Sequence, residues 1–230
     1  MHTSPLSLPV RIIIAVALTV PLMGNVPLPD PETLASLTSV PVALREIAIG
    51  LAAGMVLQIL FAAAVMAGDR IANTAGLGLA AQVDPATGSQ SPVIGQFFML
   101  FLLSVFVTQD GHLAAIRLIL DSYRLVPIGA PIEGTALTGA GLSATGEMFR
   151  DAAQIMMPVV SVLLLLNLVI GVITRSAPTL NIFAFGFPLT MSVTLLLLFL
   201  STATLGEALA ERVARALQHL MTMMDGLPDG

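Results

Sequence analysis

The chain has 230 residues, 56% of them hydrophobic and 10% charged, with nine basic against fourteen acidic residues and a net charge of −5. Soluble domains carry roughly 25% charged residues, so this composition excludes a free-standing water-soluble globule and defines a membrane protein or a subunit of a larger apolar assembly. The cations are all arginine and scattered, and Trp is absent, which removes nucleic acid as a partner; zero cysteines remove disulfides, thiolate metal sites and a cysteine nucleophile.

A spanning helix needs roughly 20 mainly apolar residues. Taken in chain order, residues 12–23 form a short apolar run after Arg11. Pro21 interrupts it and no small-x-small pattern follows, so it reads as a retained helix rather than a cleaved leader. Residues 47–68 carry no charge and have spanning length. Residues 97–108 are strongly apolar but short. In 112–126, Leu113, Ile116, Leu120 and the ring of Tyr123 share a helical face with Arg117, Asp121 and Arg124 beside it, which predicts an amphipathic helix. Residues 128–147, rich in Gly, Ala, Thr and Ser, read as a linker.

Beyond it, 152–174 is a second charge-free span. Pro178 and Pro188 punctuate the next apolar stretch, whose best helix is 189–205. Arg175 ends one span and Pro178 disfavours helix at Ala177, so the two spans form a hairpin turned near Arg175, Pro178 and Asn181. Leu205, Leu209, Val213, Ala216, Leu217, Leu220 and Met224 then fall on one helical stripe, a surface or partner-docking helix stopped at Asp225-Gly226-Leu227-Pro228. The fold class is all-α and membrane-associated, built from helical hairpins. Its organisation is a first half, 1–127, a linker, 128–147, and a second half, 148–230. The arginines fix no membrane orientation, because several lie far from any span end.

Two features exceed this map. The first is Val83-Asp84-Pro85-Ala86-Thr87-Gly88-Ser89-Gln90-Ser91-Pro92, polar turn chemistry between apolar segments. Non-helical backbone at membrane depth is tolerated only where protein surrounds it or it lines a watery cavity. The segment is therefore either a gate-like loop in a pathway or an ordinary surface connection. The second is the density of small residues from 50 to 81. Gly50, Gly54, Gly68 and Gly76, with the intervening alanines, suit a helix packed closely on protein. Catalytic chemistry has little support. His2, His112 and His219 keep no metal-ligand spacing, the Gly141-Leu142-Ser143 stretch lacks the closing glycine of a nucleophile elbow, and Gly76-Leu77-Gly78 lacks the third glycine of a phosphate loop. No cofactor or metal is expected.

Three blocks carry a family resemblance. They are Gly76-Leu77-Gly78 with Val83-Asp84-Pro85, Gly88, Ser91-Pro92-Val93 and Gly95-Gln96-Phe97; Asp110-Gly111-His112-Leu113 with Asp121 and Val126-Pro127-Ile128-Gly129; and Ser176-Ala177-Pro178-Thr179-Leu180-Asn181-Ile182-Phe183 with Gly186-Phe187-Pro188-Leu189-Thr190. In this order the chain resembles the FliR-type family of type III secretion export-gate proteins, on its flagellar side. The resemblance implies a FliP-like first half and a FliQ-like second half, assembled with FliP and FliQ in a helical cone and wrapped at its base by FlhB. It implies a place in the bacterial inner membrane at the flagellar basal body, with unfolded flagellar proteins in transit and no enzymatic role.

By the same resemblance Asp84, Pro85, Gly88, Ser91, Pro92, Gly95 and Gln96 belong to a plug that occludes the closed pore. Arg175, Pro178 and Asn181 belong to a cytoplasmic, partner-docking turn. The family usually carries a further hydrophobic segment before the position of Pro9-Val10-Arg11, which implies an upstream start or a shortened member. Arg70, Ala72, Asn73 and Thr74 stand where the family tends to have apolar, Gly and Gln residues. Two other classes explain parts of the sequence: a small-molecule secondary transporter, which would use a broken helix near Asp84, and a structural membrane scaffold. A transporter would act alone in liposomes, and a scaffold would tolerate scrambling of 83–96.

Overall fold

A computed structural model of the protein describes residues 7–20, 23, 26, 31–32, 39–77, 93–131, 134–176 and 182–227. Among these residues there are seven helices and no strand: α1 Leu8–Thr19, α2 Ser39–Thr74, α3 Val93–Thr108, α4 Gly111–Leu125, α5 Gly134–Ser176, α6 Ile182–Leu200 and α7 Thr202–Asp225. Two of them, α2 and α5, are long and apolar enough to cross a membrane, and up to four spans arise if α3 with α4 and α6 with α7 are each one bent span.

Two elements differ from the sequence-based expectation. The stretch expected as a linker is helical from Gly134 onward and continues into α5 without a break. Its four glycines in 134–147 oppose helix by propensity, and the helix here is carried by its continuity with α5. Pro158 lies inside α5, and apolar surroundings leave the chain little alternative to helix even where proline removes one N–H. The helix expected over 189–205 instead starts at Ile182, carries Pro188 in its interior and stops at Leu200. The axis bends by 63° at Ser201 before α7. The ladder survives the bend, because Ser201 N donates to Leu197 O at 2.9 Å and Leu205 N to Ser201 O at 2.8 Å.

Asp110 joins α3 to α4 in the left-handed region, φ 55°, one of the few non-glycine types that enters it readily. The next residue must be small: a Cβ on Gly111 would stand 2.6 Å from the Phe106 ring.

The chain divides into two compact units. The first comprises Met1–Val56, His112–Leu142 and Leu217–Gly230. Ala53, Val56, Ala115, Ser122, Val126, Leu220, Met223, Met224 and Leu227 are buried there. The guanidinium of Arg45 on α2 donates to the carbonyls of Gly129, at 2.9 Å, and Ala130. Gly129 has φ +87°, and Val42 packs above it at 3.7 Å from where a Cβ would stand. All described residues of α1 are exposed.

The second unit comprises Leu57–Gly111 and Ser143–Ala216. Its interior holds Ala63, Ala64, Ala67, Ile71, Phe98, Leu102, Leu163, Leu209 and Val213. Phe61 and Phe106 meet edge to face with centroids 5.7 Å apart. An ionic cluster ties α5 to α7: Asp151 Oδ1 lies 2.9 Å from Arg215 and 3.4 Å from Arg212 Nε. Arg212 also donates to Gln154 at 3.1 Å and to the Ala208 carbonyl at 2.6 Å. Asp151 and Arg212 are both buried.

Candidate functional site

The described residues nearest to the polar 83–92 segment are its two stems, the end of α2 and the start of α3, both in the second unit. They meet at a helix crossing made by two glycines. A Cβ on Gly68 would stand 2.6 Å from Gly95 Cα and 2.8 Å from both Gly95 N and the Ile94 carbonyl. These are backbone atoms that cannot step aside, so only glycine allows the two helices to approach this closely. A Cβ on Gly95 would fall 2.1 Å from Asp69 Oδ1. The carboxylate of Asp69 therefore lies directly over the Gly95 backbone. That oxygen is shielded from solvent and has no hydrogen-bond partner among the described residues.

The outgoing stem is built with equal specificity. A helix leaves its last carbonyls without intrahelical donors. At the end of α2, Ala75 N donates to Ile71 O at 2.9 Å and Gly76 N donates to Asn73 O at 3.1 Å. Gly76 then turns with φ +89°, a conformation that side chains rarely adopt. The next two carbonyls are met from other helices. The amide of Asn167 on α5 donates to Thr74 O at 3.0 Å. The hydroxyl of Thr190 on α6 points to Ala75 O at 2.9 Å, with its own-helix Phe187 carbonyl at 3.0 Å. Thr190 is buried, and the Phe187 ring reaches to 3.5 Å from a Cβ position on Gly76.

Among the residues singled out from sequence, Gly68 and Gly95 thus meet at the crossing, and Gly76 turns the end of α2 beside Phe187. Gln96 is exposed on the first turn of α3. Asp84, Pro85, Gly88, Ser91 and Pro92 lie outside the described residues, as do Pro178 and Asn181. Arg175 is exposed in the last turn of α5. Gly50 and Gly54 have nothing within 4 Å of a Cβ position. Among the described residues, then, no other helix closes on these two positions.

Asn167, Thr190 and Asp69 are the site residues that sequence reasoning passed over as such. A polar side chain inside an otherwise charge-free apolar run is a signal in itself, since each must find a partner in a low-dielectric setting. Asn167 stands alone between Leu166 and Leu168 in such a run. Asp69 and Arg70 directly follow the charge-free 47–68 run, and α2 continues past them to Thr74.

Long apolar helices, large apolar side chains left exposed along α3, α5 and α6, and helix ends capped by polar side chains of other helices define a helical membrane protein. The family described as "Bacterial export proteins, family 1" matches residues 2–216, and the chain belongs to that family. It is similar to the flagellar biosynthetic protein FliR of Pectobacterium carotovorum subsp. carotovorum, 33% identical over 219 residues that cover 94% of this chain and 83% of the relative. It is 38% identical to the flagellar biosynthetic protein FliR of Escherichia coli K12 over 153 residues, 66% of this chain and 58% of that protein. The surface presentation of antigens protein SpaR of Salmonella typhimurium is 29% identical over 166 residues, 72% of this chain and 62% of that protein. The chain thus spans somewhat under two thirds of the Escherichia coli and Salmonella relatives that it matches.

Proposed function

We propose that this chain is a subunit of the flagellar type III protein export gate. It forms, with FliP and FliQ, the channel through which unfolded flagellar proteins cross the bacterial inner membrane. The family match over residues 2–216 carries this reading, supported by the names of the flagellar relatives. In this reading 1–127 is the FliP-like half, 128–147 joins it to the FliQ-like half, and 148–230 is that half with its C-terminal helix. The apolar faces left open on α2, α3, α5 and α6 are then covered by neighbouring subunits as much as by lipid.

Asp84–Gln96 is the pore plug. Residues 175–181 form a cytoplasmic turn against which FlhB docks. The chain passes substrate without catalysing a reaction, and the driving energy comes from other components.

The decisive experiment removes the plug. Cells carrying a deletion of 85–91 should still assemble the complex, with FliP and FliQ co-purifying by mass spectrometry, but should leak potassium. Unchanged permeability with normal assembly refutes the plug. Purification without any export component refutes the gate. Thr179→Cys in this cysteine-free chain should crosslink to FlhB, and labelling by a periplasm-restricted maleimide overturns the orientation.

A further inference from the structure

We propose that Asn167 and Thr190 are positioning residues that fix the end of α2, and so set the point from which the chain enters the 78–92 segment. The inference deepens the plug reading and rests on it for its functional half. Its structural half stands on hydrogen bonds between described residues.

Helix α2 is long, and the last turn of any helix frays because its carbonyls have no donors ahead of them. In water, solvent fills that role. The Thr190 bond is buried in the chain, and the Asn167 bond lies on its surface, which the proposed assembly turns toward lipid or a neighbouring subunit. In neither place does water serve the carbonyl, so it must find a protein donor or pull the backbone elsewhere. Two donors are supplied, and each comes from a different helix of the second half of the chain. Asn167 serves Thr74 and Thr190 serves Ala75.

Consecutive carbonyls of one turn sit at positions about 100° apart around the helix axis. Donors on two helices therefore fix the terminal turn in rotation as well as in height. Gly76 follows at once with its positive φ, and the ring of Phe187, three residues before Thr190, lies against it.

The donor groups are also the smallest change that removes the contact. Thr190→Val exchanges a hydroxyl for a methyl group of similar volume, and Asn167→Leu exchanges an amide for an apolar group of similar size. Thr190→Ser keeps the hydroxyl. In a chain without cysteine, Asn73→Cys places a nitroxide label on the exposed side of the terminal turn. Signal from co-purifying proteins is removed with an unsubstituted control.

In the complex purified from membranes, Asn167→Leu and Thr190→Val should each sharpen the label's spectrum, reporting greater mobility, while Thr190→Ser should not. In cells, both should raise potassium efflux by about tenfold, the factor that corresponds to about 1.4 kcal/mol in an equilibrium, with assembly on native gels unchanged.

An unchanged spectrum in both variants overturns the inference. So does a mobile label with normal efflux when the 85–91 deletion leaks, because the two side chains would then brace the helix without positioning the plug. If the deletion itself does not leak, the plug reading fails on its own account. The spectrum then decides whether the two donors fix the end of α2.

Discussion

Helix α2 carries three of the glycines singled out from sequence, and they behave in two opposite ways. Gly68 is pressed against the backbone of Gly95, with no room for a methyl group. Gly50 and Gly54, only a few turns earlier on the same helix, face open space. Around Gly68 the alanines 63, 64 and 67 are buried, whereas Leu44, Ile47, Leu51 and Met55 are exposed on the earlier turns. The same residue type therefore does two jobs. One glycine permits a contact inside the chain; the other two leave a smooth surface, which in the proposed assembly is an intersubunit face. Spacing alone does not distinguish them, because a glycine states how close a neighbour can come and not whether one is present.

Substitutions along α2 break or sharpen that contrast. The largest loss is expected at Arg45, which ties the open half of the helix to the 129–130 carbonyls. Arg45→Met should cost about 1.5–3 kcal/mol, the range for hydrogen bonds to charged groups, measured by denaturation of the detergent-solubilised chain. Gly68→Ala comes next at about 1–3 kcal/mol, because every close atom belongs to the facing backbone.

Gly95→Ala should cost less than Gly68→Ala, since its nearest obstacle is the Asp69 carboxylate, a side chain that can rotate. Adding Asp69→Ala should recover part of that loss, and a double-mutant cycle showing no coupling would break the assignment. Gly54→Leu should leave the chain's own stability within about 0.5 kcal/mol, as at a surface position. In the complex, the same change should abolish co-purification of neighbouring subunits. Equal losses at Gly54 and Gly68 in the isolated chain would erase the contrast.

Much of the helical framework was legible from sequence, for reasons that also mark where legibility ended. Most of the stripe on α7 matches: Leu205, Leu209, Val213, Ala216, Leu220 and Met224 are buried, Leu217 is half-buried, and Arg212, read off the stripe, is buried as well. That helix carries enough charge for its polar and apolar sides to differ. On α4 the amphipathic helix is present, with Ile116, Leu120 and Tyr123 half-buried, but its most buried residues lie beside that face. Leu113 is exposed, while Ala115 and Ser122 are buried. In a chain whose outer surface is itself apolar, size and packing choose the inner face, and hydrophobicity does not.

The stems show the same limit. Gly68 and Gly76 were visible as small residues in dense array, and Gly95 through the family resemblance. That Asn167 and Thr190 would meet carbonyls 93 and 115 residues away in sequence depends on how helices cross, which no local pattern encodes. The ends of α5 and α6 were missed because glycine and proline lose much of their helix-breaking force where an unpaired backbone has no water to turn to.

The Asp151 cluster gives α7 the character of a toothed rack. An apolar helix on an apolar helix can slide with little resistance, since each leucine finds another leucine one turn along. An ionic contact has no such neighbour. One turn is about 5.4 Å. A slide of that size would bring either Ala216 and His219 or Ala208 and Glu211 to the positions now held by Arg212 and Arg215. In the first case Asp151 faces an alanine and an imidazole; in the second it faces a carboxylate. Both leave a buried carboxylate short of its cations, a state that typically costs about 3–5 kcal/mol. A pull along α7 is therefore met by a stop and not by a spring, up to the force that strips the two guanidinium groups from Asp151 together.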